Sequence, residues 1–146
     1  NKGKILSDFL KNKNYTTKDK VALEEDYFTI DEDRVYAGKH IILDLWHANA
    51  ENSCDFIKDT LLEAIDKSQA TLIHIHLHHF GKDKGISGVA VLAESHISIH
   101  SWPERNYIAF DIFMCGSTFP EEAVNVIIER MKPKKYSMQT IYRGVL

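Results

Sequence analysis

The stretch from Gly88 to Trp102 constrains this chain more than any other. Gly88-Val89-Ala90-Val91-Leu92 is an apolar run, and beyond it Ile97 and Ile99 alternate with His96, Ser98 and His100. The period of two and the β-branched content predict two strands, about Ser87 to Leu92 and Ser95 to Trp102. Glu94 and Ser95 interrupt them where a buried strand would carry aliphatics. Polar groups there need partners, and a local rule broken inside a core element points to function. Ser95 is a candidate nucleophile with imidazoles at His96 and His100 nearby. A serine needs a base or a strained setting to react, so spacing alone leaves a hydrogen-bonded strand serine as the other reading.

The other segments follow the same logic. Lys39 to Trp46 reads as a strand, and Asn52 or Ser53 can cap a helix running to about Ser68, with Phe56, Leu61, Leu62 and Ile65 on its apolar face. Thr71 to Phe80 is a second strand whose His74, His76 and His78 share one face. That face could bind zinc, but no cysteine or carboxylate stands nearby in sequence, so a polar or subunit-facing surface is the default and no metal site is assigned. A charged turn spans Gly81 to Gly85. Tyr107 to Met114 is a strand ahead of a helix from Pro120 to about Met131, and Pro133 ends that helix before a final strand, Tyr136 to Tyr142. The pattern predicts an α/β (α+β) two-layer sandwich: a largely antiparallel sheet with helices on one face. The opposite face carries aromatics and histidines and must be covered or stay wet.

The 146 residues suit one domain with a real core. Residues 1–37 differ from the rest, being rich in Lys, Asp, Glu and Asn, and read as an N-terminal extension ahead of a domain at 38–146. Within them Ile5 to Leu10 suits a short helix, Asp26 to Ile30 a short strand or an arm docked on a partner subunit through Tyr27 and Phe28, and Asp31-Glu32-Asp33 a turn. A net charge of -3 gives no reason to expect nucleic-acid binding. Two cysteines, Cys54 and Cys115, imply no disulfide framework and favour a reducing cytoplasm. No apolar run is long enough for a membrane span.

Ala93-Glu94-Ser95-His96-Ile97-Ser98-Ile99-His100-Ser101-Trp102-Pro103-Glu104 resembles the self-cleavage motif of the prokaryotic S-adenosylmethionine decarboxylase family. Gly85-Ile86-Ser87-Gly88 upstream and Phe110 to Gly116 downstream fall where that family has matching pieces. The resemblance runs from about Gly38 to about Gly144. It implies a pyruvoyl cofactor made from Ser95 by cleavage of the Glu94–Ser95 bond, giving fragments 1–94 and 95–146. It places Ser87 and His100 as helpers of this maturation and Cys115 as the proton donor after CO2 loss. For the substrate, S-adenosylmethionine, it places Phe80 and Trp102 as aromatic faces and Glu104 on the ribose hydroxyls. It also implies a homodimer of cleaved protomers with the active site near the subunit boundary, and decarboxylated S-adenosylmethionine as aminopropyl donor for spermidine synthesis.

The chemistry agrees with the resemblance. Decarboxylation of an amino acid needs a carbonyl electron sink, and no lysine lies in a setting that suggests pyridoxal phosphate. A thiol suits proton donation because its pKa is tunable. Two other readings stand beside this one. One keeps the pyruvoyl chemistry for arginine or ornithine. The other is a non-catalytic regulatory homologue or a histidine-rich metal-binding module.

Overall fold

A computed structural model describes residues 28–31 and 34–146. The expected helix at Ile5 to Leu10, the docking contact through Tyr27 and most of the expected 31–33 turn lie outside the described residues. A short hairpin, β1 (Thr29–Ile30) and β2 (Val35–Tyr36), leads into the long strand β3 (Gly38–Ala48). Helix α1 (Cys54–Lys67) follows, then β4 (Leu72–His79), β5 (Ile86–Leu92), β6 (Ser95–Trp102), a 3-10 turn (Pro103–Arg105), β7 (Tyr107–Cys115), α2 (Pro120–Met131) and β8 (Pro133–Arg143).

Strands β3 to β8 form one six-stranded sheet in the order β4-β5-β6-β7-β3-β8, with every neighbouring pair antiparallel. Alternation divides its faces. Ile41, Leu43, Leu45, Ile97, Ile99, Phe110 and Ile112 point to one side, where they are buried with Leu61 and Ile65 of α1 and Ile127 of α2. This is the expected two-layer sandwich. Truncating one of these side chains to alanine costs about 2–5 kcal/mol.

Local signals account for the ends of the helices. Ser53 caps α1 by accepting from the Phe56 amide at 3.2 Å. α2 begins with Pro120 in its first turn and stops at Lys132, whose φ of 47° is left-handed. Pro133 does more than end that helix: it is the first residue of β8, opposite Ala48, so the last strand starts earlier than its apolar pattern suggests.

Among the described residues, no helix covers the other sheet face. His74, His76 and His78 of β4 do share a face, set beside Val91, Val89 and Ser87 of β5. The same face carries His96, Ser98, His100 and Trp102 of β6 and Tyr107, Asp111, Phe113 and Cys115 of β7. Among the described residues, no three histidine, cysteine or carboxylate groups are placed to hold a metal ion. Nor is any helix among them long and apolar enough to cross a membrane.

Candidate active site

Glu94 and Ser95 sit where β5 turns back into β6. Leu92 is opposite Ser95, so Ala93-Glu94 is a two-residue hairpin loop. Ser95 has a φ of 141°, a strained conformation for a residue with a side chain. The turn is pinned from both sides. On one, Ala93 N donates to Thr71 O at 2.9 Å. Thr71 in turn donates to the Glu94 carboxylate, from its amide at 2.9 Å and its hydroxyl at 3.1 Å. On the other, the Cys115 amide donates to the Glu94 main-chain carbonyl oxygen at 3.0 Å. An N–H aimed at that oxygen polarises the carbonyl and can stabilise negative charge developing on it.

Cys115 ends β7. Burial pushes its thiol pKa up and the negative Glu94 pushes it further, against the Ser95 hydroxyl, whose hydrogen bond pulls it down. The net direction keeps the thiol protonated at neutral pH, as a proton donor must be. His96 lies beside this end with its ring edge-on to Phe113 at 5.8 Å. Burial first, then His40 and Arg143, lower its pKa, while Asp111 opposes them.

A second cluster lies toward the other end of the same strands. Ser87 and His100 face each other across β5 and β6, with Ser87 Oγ and His100 Nδ1 2.9 Å apart. They line a groove of about 370 Å³ together with Phe80, Trp102, Glu104 and Lys84. Phe80 is 61% and Trp102 41% exposed, so each has ring surface free for a flat ligand. Gly85 lets the 81–85 turn close against β6: a Cβ there would stand 2.1 Å from Ser101 O.

The two clusters do not meet within one chain. Ser95 and His100 are five residues apart on an extended strand, or about 17 Å at roughly 3.4 Å per residue. Ser95, Glu94 and Cys115 form one group. Ser87, His100, Phe80, Trp102 and Glu104 form the other.

A family model described as S-adenosylmethionine decarboxylase matches residues 39–144, most of the chain and all of both clusters. The chain belongs to the S-adenosylmethionine decarboxylase family. A relative named S-adenosylmethionine decarboxylase proenzyme in Thermomicrobium roseum is 36% identical over 110 residues, 75% of this chain and 95% of the relative. Another of that name in Methanococcus maripaludis is 44% identical over 112 residues, covering 75% and 91%. The crystal structure of the adenosylmethionine decarboxylase from Aquifex aeolicus superposes with a TM-score of 0.69 at 33% identity, over 76% of this chain and 93% of that one.

Several residues of this decarboxylase fold support the clusters with little signal in the sequence. Thr71 holds Glu94, yet reads as a strand-start threonine. Trp46, Tyr107 and Trp102 stack in series, with centroids 4.5 Å and 5.2 Å apart. Tyr107 donates to Asp44, and burial with that bond pushes its phenol pKa up to about 12. The signal that points to this pair is Asp44, a carboxylate inside an otherwise apolar strand.

Proposed function

We propose that this chain is a self-processing, pyruvoyl-dependent S-adenosylmethionine decarboxylase that matures by cleavage between Glu94 and Ser95. The observation that carries the reading is the strained Ser95 beside a Glu94 carbonyl whose oxygen is held by the Cys115 amide. Ser95 Oγ attacks the Glu94 carbonyl carbon, and the amide nitrogen of residue 95 leaves with a proton, giving an ester. Loss of the residue 95 α-proton to a base then breaks the Cβ–O bond. Fragment 1–94 departs as a carboxylate, and residue 95 becomes dehydroalanine. Water converts this to a pyruvoyl group with release of ammonia. Strain at Ser95 favours a step that frees the residue from its backbone constraint.

Ser87 hydrogen-bonds the reacting carbonyl or ester, and His100 moves the proton in the elimination. The pyruvoyl ketone supplies the electron sink for CO2 loss. Cys115 holds the proton for the substrate Cα. Phe80 and Trp102 take the adenine and the sulfonium on their faces, and Glu104 accepts from the ribose hydroxyls.

These roles require the two clusters to meet. A homodimer in which the uncovered sheet faces oppose each other about a two-fold axis would set the Ser95 end of one copy against the groove of the other. Val89 and Val91, partly exposed on that face, would be covered by the same contact. The test is mass spectrometry of the purified chain followed by CO2 release from carboxyl-labelled substrates. Fragments 1–94 and 95–146, with release from S-adenosylmethionine and not from arginine or ornithine, are expected. An intact chain, or release from arginine or ornithine instead, would overturn the reading.

A further inference from the structure

Thr29–Ile30 and Val35–Tyr36 lie ahead of the segment matched by the family model, yet Thr29 is bonded to the turn that follows Cys115. Thr29 Oγ1 donates to Gly116 O at 3.2 Å. Thr29 also stands opposite Tyr36 in the β1–β2 hairpin. Tyr36 is buried, with its ring edge-on to Tyr142 of β8 at 4.9 Å. The backbone is tied down beside it. Ala37 N donates to Arg143 O at 2.8 Å, and Leu146 N donates to Val35 O at 3.0 Å. The hairpin is therefore anchored on β8 and reaches past the end of β3 to the end of β7.

The turn it reaches is a sensitive one. Gly116 takes a φ of 66°, which glycine adopts at little steric cost. Thr118 Oγ1 donates to Cys115 O at 2.8 Å, and the Cys115 amide donates to the Glu94 carbonyl. The Thr29 bond holds the next carbonyl along. We propose that the β1–β2 hairpin is a positioning element for the reaction, and that Thr29, acting through Gly116, sets where Cys115 presents its amide and its thiol. The inference rests on the roles given to Cys115 above. Without that bond the amide spends less time aligned on the Glu94 carbonyl, and the thiol is less well placed for the substrate Cα.

The test compares Thr29→Val, which keeps the shape and removes the donor, with Thr29→Ser, which keeps the donor. On the precursor, two rates are measured: self-cleavage, and alkylation of Cys115 by iodoacetamide with Cys54 as internal reference. On the processed protein, kcat and KM for S-adenosylmethionine are measured. Thr29→Val should slow cleavage and lower kcat by roughly three- to ten-fold, the size expected from one neutral hydrogen bond. KM should stay unchanged, because the groove residues proposed to hold the substrate, Phe80, Trp102 and Glu104, are not on the turn that Thr29 holds. Cys115 alkylation should rise relative to Cys54, and Thr29→Ser should restore all three. Parent-like cleavage and alkylation in Thr29→Val would overturn the inference. So would equal acceleration at Cys54 and Cys115, which reports general loosening, or equal impairment in Thr29→Ser. A parent chain that never cleaves would sink the proposed maturation, while the alkylation ratio would still decide whether Thr29 positions Cys115.

Discussion

The two ends of the β5–β6–β7 part of the sheet are built by different means. At the Ser95 end, main-chain geometry does most of the work: a strained φ, a two-residue turn and the Cys115 amide on the Glu94 carbonyl. At the Ser87 end, side chains do it: a serine–histidine pair and two exposed aromatic faces lining an open groove. Under the proposed roles, the first end breaks a peptide bond and the second holds a flat, cationic ligand and moves a proton. Hydrogen bonding acts over about 3 Å, and about 17 Å separates the ends in one copy. Under the proposed roles neither end is complete alone, and in the proposed dimer two copies related by a two-fold axis would supply each end with the other.

Single substitutions should separate the ends by what they abolish. Ser95→Ala is expected to have the largest effect, removing both cleavage and CO2 release while the sheet still folds. A 95–146 fragment in this variant, seen by intact mass, would contradict the assignment. Cys115→Ala keeps the main-chain amide on the Glu94 carbonyl, so it should still cleave. Its turnover should fall by about 10²-fold or more, the usual contribution of a positioned acid. Wild-type turnover after complete cleavage would mean that another group donates the proton.

The layout was legible in the sequence as far as period reaches. β6 alternates cleanly, so its faces could be assigned, and the polar Glu94-Ser95 pair stood out against aliphatic neighbours. What could not be read was which clusters touch. Ser95 and His100 are close in sequence, yet an extended strand holds them far apart. Ser87 and His100 are thirteen positions apart and meet because β5 folds back on β6. The amide of Cys115 and the hydroxyl of Thr71 carry no sequence signature, because any residue supplies an N–H and a strand-start threonine is ordinary. The burial of Val35 and Tyr36 was hidden by the charged residues around them.

Smaller effects sharpen the contrast. Trp102→Ala should leave cleavage intact and raise KM for S-adenosylmethionine by roughly ten-fold, in line with about 1–3 kcal/mol for a base stacked on an aromatic ring. An unchanged KM would remove Trp102 from the binding site. Glu94→Gln tests the other end. It removes a negative charge that raises the Cys115 pKa. The thiolate should then form at lower pH, and the onset of Cys115 alkylation should move to lower pH with it. A profile that stays in place would show that burial alone sets the shift.

The division of the site between two copies is tested most directly by co-expressing Ser95→Ala with His100→Ala and weighing the products. Alone, Ser95→Ala should not cleave and His100→Ala should cleave poorly at best. In mixed dimers the His100→Ala chain keeps its serine and receives His100 from its partner, so fragment 1–94 and a 95–146 fragment carrying the His100→Ala mass should appear, with CO2 release. Should co-expression yield no more of these fragments than His100→Ala alone, the two ends of the face do not complete each other across a dimer.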